Sequence, residues 1–379
     1  MKNRNLVLFM TASAFLGISQ SIDGSVFNNF LNDTFHLTVS QRTILEFPRE
    51  LPGFLVVFVS SFLISLGDIK IAAIANILAA IGMMSLGFLS SSYGTMILWL
   101  TIYSMGQHLY LPVSNSIGMS LANKENLGQV LGRINAVNTA AFLVTSLGTA
   151  FIFSRFKVNY RIAFIFAAIA FIISAILIFS MTSQNKGVSN KKLIIRKEYS
   201  LFYMLSVVYG ARKQIFITFG PWVLIKVFHQ GVSTFAILGF IIAGIGIFFK
   251  PFVGYLIDKI GEKKVLAGEA LALVVVCSGY AFSKSLYLVC ACFVIDQLLV
   301  AVGMARSTYL KKIALSPDDV SPTLSMGISM DHVVAMIVPW LGGLLWATLG
   351  YEAVFIAGAC IALVNFTLTR GIKIEEAVN

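Results

Sequence analysis

Twelve predominantly apolar runs, separated by short charged or Gly/Pro-containing breaks, follow one another along the whole chain. A helical run of about 20 such residues spans the ~30 Å hydrocarbon core of a bilayer. Lipid offers no partner to an exposed N–H or C=O, so runs of this kind fold as helices. The predicted spans are 6–31, 39–66, 70–91, 94–121, 127–153, 160–181, 200–227, 232–257, 263–283, 286–314, 320–348 and 351–370. Only 12% of residues are charged and 58% are hydrophobic, whereas a soluble domain carries about 25% charged residues. Between them the spans take up nearly all of the 379 residues and leave no room for a soluble catalytic domain.

The net charge of +11 is read through its position. Lys2, Arg4, Lys70, Lys124, Lys186, Lys191, Lys192, Arg196, Lys197, Lys259, Lys263, Lys264, Lys311, Lys312, Arg370 and Lys373 fall at the termini and the even-numbered turns, whereas the opposite turns hold fewer, including Arg42, Arg155, Lys157, Arg161 and Lys284. By the positive-inside rule both termini are cytoplasmic in a cell inner (plasma) membrane, and the charge orients the chain; nucleic acid is not an expected partner. Lys2 and Arg4 precede an apolar run, but the run continues into Asp23 and Asn28 without a small-residue cleavage site, so it reads as a retained first helix. Cys277, Cys290, Cys292 and Cys360 stand in apolar runs without ligand spacing and read as small core hydrophobes.

The most polar segment, 182–199, divides six spans from six: an N-terminal bundle over 1–181 and a C-terminal bundle over 200–379. The halves resemble each other at a separation of about 194 residues. Span five carries Arg133, Asn135, Asn138 and Leu147-Gly148 where span eleven carries Asp331, His332 and Leu341-Gly342-Gly343, and charged turns precede both, Lys124-Glu125 and Asp318-Asp319. Repeated halves of this kind place a binding site near the bilayer midplane.

Between spans eight and nine stands Gly254-Tyr-Leu-Ile-Asp258-Lys259-Ile-Gly261-Glu-Lys263-Lys264. Glycines permit close helix approach and a tight turn, and the lysines stay with the anionic leaflet. Gly254, Asp258, Lys259, Gly261, Lys263 and Lys264 together resemble the cytoplasmic loop signature of the major facilitator superfamily. The resemblance implies an all-α membrane protein whose twelve transmembrane helices form two pseudo-symmetric six-helix bundles, rocking about a central cavity in alternating access, with the signature acting in gating. The corresponding loop between spans two and three holds only Ser65-Leu-Gly67-Asp68-Ile-Lys70, a shortened copy. The Gly-Pro-Gly-Gly-like element that resembling drug/proton exchangers carry in helix five is replaced here by Asn135, Asn138 and Thr145.

Ionisable residues inside spans cost several kcal/mol on insertion scales and therefore face a cavity or a partner. Asp23 shares a face of span one with Gln20 and Phe27. Span two opens with a capping box, Thr38-Val-Ser-Gln41, and then places Glu46, Arg49 and Glu50 on one face beside Pro48 and Pro52, two acids positioned to share one arginine. Span four contributes Gln107, His108, Tyr110, Ser114 and Asn115, and span seven contributes Tyr209, Arg212 and Lys213 near its middle. Arg212 and Lys213 point about 100° apart, so one is free to bind solute while the other pairs with an acid. Asp296, Arg306, Asp331 and His332 complete the set; Trp222 after Pro221 and Trp340 after Pro339 are candidates to line the pathway at helix breaks.

These residues sort into two roles. Arg212, Lys213, Tyr209, His108, Asn115, Asn138 and Arg306 are candidates to bind solute. Asp23, Glu46, Arg49, Glu50, Asp296, Asp331 and His332 are candidates for proton coupling, because protonating an acid releases its cation. The reading is a monomeric secondary active transporter of a small polar, anionic or zwitterionic solute, with protons and the bilayer as its other partners. A multidrug or amphiphile exporter is the alternative within transport, favoured by the 31 phenylalanines. A membrane-embedded enzyme would need a convergent nucleophile or a metal constellation, and the sequence shows no His-x-x-x-His, Cys pair or nucleotide loop, so neither metal nor cofactor is expected; a passive channel would not need intramembrane acids paired with bases.

Overall fold

The computed structural model describes residues 2–63, 66–123, 126–156, 158–182 and 195–373, without the side chains of Lys2, 57–63 and Pro317. The Lys124-Glu125 turn, Lys157 and most of the 182–199 connection, with Lys186, Lys191 and Lys192, lie outside the described residues.

Among the described residues fourteen α-helices follow in order: α1 Lys2–Phe35, α2 Val39–Ile44, α3 Glu46–Leu63, α4 Asp68–Phe88, α5 Tyr93–Ser120, α6 Leu127–Arg155, α7 Tyr160–Phe179, α8 Ser200–Lys226, α9 Val232–Ile260, α10 Glu262–Phe282, α11 Leu286–Leu299, α12 Met304–Ile313, α13 Pro317–Leu349 and α14 Tyr351–Arg370. They fall on the twelve predicted runs, with the second divided into α2 and α3 at Leu45 and the tenth into α11 and α12 by a 3-10 turn at Val300–Gly303. Nine helical segments among the described residues are long and apolar enough to cross a membrane, with α11, the 3-10 turn and α12 counted as one. Neither α5 nor α8 is among them, and α8 carries the mid-helix cations.

Helix starts are set by side chains that satisfy the first free N–H groups. Thr38 and Gln41 form the expected capping box, Ser92 and Thr95 form another, and Ser316 caps α13 ahead of Pro317 and two acids in the first turn. At the starts of α4 and α10, Gly67 (φ 76°) and Gly261 (φ 83°) adopt the left-handed region that a side chain would resist. They stand 194 residues apart, which places the repeat in the backbone as well as in the sequence.

The chain forms two compact units. One comprises Met1–His36, Leu51–Asn190 and Gln230–Ala243; the other comprises Leu37–Glu50, Lys191–His229 and Gly244–Asn379. In the first, α1 packs on α6 and α7, and α4 packs on α5 and α7, around Phe9, Ile71, Val113, Ile117 and Ile178. In the second, α8 packs on α13 and α14, and α10 packs on α14. Each unit contains a close approach of two helices made by a glycine, in α1 in the first and in α8 in the second. A Cβ on Gly17 of α1 would lie 2.3 Å from the carbonyl oxygen of Asn138 on α6, and one on Gly210 of α8 would lie 3.0 Å from the Cα of Asp331 on α13. Both glycines and both polar partners are 193 residues apart, so the same helix crossing is built twice.

The residues leading into α8 are anchored to α13. The Tyr199 hydroxyl donates to Asp319 Oδ2 at 2.7 Å and accepts from the Leu315 N–H at 3.0 Å, while Arg196 pairs with Asp319 at 3.4 Å. Burial, then the bond to Asp319, raises the Tyr199 phenol above its ordinary range.

Candidate functional site

Lys213 is the midpoint of the 27-residue helix α8. Its neighbour Arg212 donates through Nη2 to Glu269 Oε1 on α10 at 2.6 Å and through Nη1 to Asp296 Oδ1 on α11 at 3.3 Å. The three are 2%, 4% and 1% exposed, so this ion triad is sealed. Nη2 also reaches the carbonyl of Leu299 at 3.3 Å. That carbonyl ends α11, where the α-helical ladder stops, and a cation is its natural partner. Gln297 Nε2 holds the other oxygen of Asp296 at 2.9 Å.

One residue on, Lys213 Nζ meets Asp331 Oδ2 at 2.7 Å, but here the side chains are 19% and 15% exposed. The pair is therefore the accessible one. The expectation that Arg212 or Lys213 stays free for solute does not hold, because the 100° step between them points one at α10 and α11 and the other at α13, and both find carboxylates. Among the described residues Arg306 has no carboxylate within ion-pair distance. It leaves α12 three residues after the 3-10 turn, its guanidinium sits 3.5 Å over the Tyr209 ring, and its buried Nε has no hydrogen-bond partner. The Arg212 guanidinium also lies over Tyr209, at 4.9 Å.

A second cluster joins α2, α3 and α13. Two arginines converge on Glu46. Arg42 is hydrogen-bonded to it, and Arg49 reaches it at 3.2 Å. Arg42, expected in a turn at the membrane surface, is fully buried in α2 and stacks on Trp222 at 5.8 Å. Glu50 accepts at 3.0 Å from His332, the residue after Asp331. Trp222 is a core residue with no exposure and Trp340 is half exposed, so the two do not behave alike at their prolines.

In the first unit the predicted residues are more dispersed. His108 bonds Ser104 of its own helix, through the hydroxyl at 3.0 Å and the carbonyl at 2.9 Å. Asn138 donates to the carbonyl of Ser13 at 2.9 Å and to Gln20 Oε1 at 3.4 Å, pinning α6 to α1. Asp23 is half-buried and Asn115 is exposed.

The loop signature takes a different form from the expected one. α9 runs through Gly254, Asp258 and Lys259 to Ile260, leaving Gly261 as the whole connection. Asp258 is exposed without a partner among the described residues, because the helix points it outward; the buried acid is Glu262, held by Lys312 at 2.8 Å. Lys263 donates to the carbonyl of Arg370 at 3.0 Å, and Lys264 is exposed. In the shortened first copy Asp68 stands in the position of Glu262 and accepts from Ser116. Of the four cysteines, Cys277 and Cys292 are buried as expected, Cys290 is half-buried, and Cys360 is exposed on α14.

Sequence reasoning missed Glu269. It lies two turns into α10, in a stretch that begins Glu-Lys-Lys and looks like a loop margin, and its partner is 57 positions away. The available signal was its seven-residue spacing from Glu262, which puts both acids on one face of α10.

The family profile of the Major Facilitator Superfamily matches residues 9–208 and again 201–376. The chain is 27% identical over 134 residues to MFS-type transporter ppzB of Metarhizium rileyi, a match covering 35% of this chain and 28% of that protein, and 26% identical over 134 residues to the protein of the same name in Metarhizium majus, covering 35% and 29%. The match thus spans under a third of the length of these curated relatives. Among solved structures, the nucleoside transporter NupG superposes with a TM-score of 0.73 at 14% identity, covering 98% of this chain and 98% of that one. A bacterial homologue of the human lysosomal transporter Spinster, inward-facing and occupied, gives 0.73 at 16% identity over 97% and 96%, and a D-xylose-proton symporter gives 0.70 at 15% over 98% and 97%. At these identities the likeness is one of fold.

Proposed function

Because the chain belongs to the major facilitator superfamily, we propose that it is a secondary active transporter that moves a small polar solute, anionic or zwitterionic in class, by alternating access coupled to protons. The carrying observation is the Lys213–Asp331 pair, 2.7 Å long, near the middle of α8 and α13 and still partly accessible. A salt bridge at that depth is costly unless it works. Protonation of Asp331 would remove the attraction holding Lys213 and let α8 and α13 shift, and re-formation of the pair would expel the proton. The name of the D-xylose-proton symporter attaches proton coupling to one protein of the same fold. In this reading the halves 1–181 and 200–379 are the rocking bundles, joined by 182–199, and a monomer sits in the inner (plasma) membrane with both termini cytoplasmic.

The test is a pH-sensitive dye trapped in proteoliposomes. Adding a transported solute should change the lumenal pH, and Asp331→Asn should abolish that change while preserving solute exchange. If Asp331→Asn retains wild-type proton movement, the coupling role assigned to this pair is wrong.

A further inference from the structure

We infer that Arg306, seated on Tyr209, forms the subsite for the anionic group of the transported solute, a carboxylate or a phosphate. The inference rests on the transporter reading and deepens it.

Across α8, α10, α11, α12 and α13 the second unit carries three cations, Arg212, Lys213 and Arg306, and three acids, Glu269, Asp296 and Asp331. Their numbers match, but their pairing is uneven. Arg212 takes both Glu269 and Asp296, and Lys213 takes Asp331. Among the described residues no carboxylate is left within bridging distance of Arg306, and its Nε is buried with no hydrogen-bond partner. A guanidinium left without an anion at membrane depth is costly. An incoming oxyanion is the partner that removes the cost, and the planar fork of arginine binds carboxylate or phosphate through two parallel N–H···O bonds.

The surroundings hold this fork in place. Its carbon lies 3.5 Å over the Tyr209 ring, a cation–π contact that fixes the plane without using any of the N–H donors. The 3-10 turn supplies Gly303 at the same spot: a Cβ there would lie 3.4 Å from both Arg306 Nη2 and the Tyr209 hydroxyl. Gly303 thus presents no side chain toward the guanidinium and the phenol hydroxyl. The subsite therefore has a charged donor, an aromatic seat and a glycine beside both.

The experiment uses matched probes on the full chain in nanodiscs of zwitterionic lipid, with thermal stabilisation as the readout of binding. Benzoate, succinate and glycerol 3-phosphate are each compared with benzamide, succinamide and glycerol. At least one anion should stabilise the protein where its neutral counterpart does not. Arg306→Gln should weaken that apparent affinity at least tenfold, and Arg306→Lys should recover only part of it. Gly303→Val, which leaves every charge in place, should weaken it too, so the reading does not depend on the folding of one arginine variant. Equal responses to anions and neutral counterparts, an unchanged response in Arg306→Gln, or no response to any anion overturns the subsite. So does a response confined to nanodiscs containing phosphatidylglycerol, which would assign Arg306 to a lipid headgroup. If neutral probes drive the lumenal pH change in proteoliposomes, the subsite fails and the transporter reading stands. If anions bind at Arg306 but none crosses the membrane, the transporter reading fails instead.

Discussion

Gly210 of α8 lies against Asp331 of α13 so closely that a Cβ on the glycine would sit 2.5 Å from Asp331 Oδ1, and Lys213, one turn further along α8, reaches the other oxygen of the same carboxylate. The glycine sets how close the two helices come, and that closeness sets the ion pair. Gly210→Ala should therefore separate the helices and lengthen the pair, costing about 1–3 kcal/mol as an overpacked contact. Thermal unfolding in detergent should show the loss, and Gly24→Ala, whose added Cβ meets no described atom within 4 Å outside its own helix backbone, is the control.

Lys213 and Asp331 should also be energetically coupled. Lys213→Met or Asp331→Asn alone leaves one charge stranded at mid-helix, whereas the double variant leaves none. A double-mutant cycle on thermal stability should give an interaction energy of about 1–3 kcal/mol, in the sense that the double variant is more stable than the sum of the single effects predicts. Additive effects would mean that the pair is not formed in the membrane.

The sealed triad should tolerate its losses unequally. Arg212→Ala leaves Glu269 and Asp296 buried without their shared cation, and removing one side of a buried ion pair costs about 3–5 kcal/mol. Glu269→Gln keeps a one-to-one pair between Arg212 and Asp296 and an amide that can still accept from the arginine, so it should cost less than half as much. Yield of monodisperse protein and its melting temperature would rank the two. The opposite order would show that Glu269 rather than Arg212 organises the triad.

In the connection between α9 and α10 the two acids of the signature should behave differently. Asp258→Asn changes an exposed side chain and should stay within about 0.5 kcal/mol of wild type. Glu262→Gln weakens a buried acceptor of Lys312, a residue itself half in solvent, and should cost about 1 kcal/mol. Melting temperatures of the two variants check this directly, and slower solute transport in Glu262→Gln alone would give the buried acid a part in transport as well as in stability.

The helices are legible because lipid makes their signal local. A window of apolar residues reports its own burial depth without reference to any other part of the chain, and the fourteen helices accordingly fall on the twelve runs. The capping box at Thr38 and Gln41 is equally local, as its donors and acceptors lie within three residues. The glycine repeat is half legible: the separation of about 194 residues stands in the text of the chain, but that Gly17 and Gly210 each abut a polar residue of a distant helix does not.

Charge partners are where local reading stops. Charges near a span boundary usually occupy turns, yet α2 directs Arg42 inward onto Glu46 and Trp222. Glu269 is hidden from the sequence for the same reason. Sequence alone determined the class of molecule: a chain of apolar helices in two related halves, with ionisable groups kept inside at a cost that demands use. Only the tertiary structure decided which of those groups neutralise one another. Coulomb attraction acts over a few ångströms in space, while Arg212 and Glu269, Lys213 and Asp331, or Glu50 and His332 are tens to hundreds of residues apart along the chain.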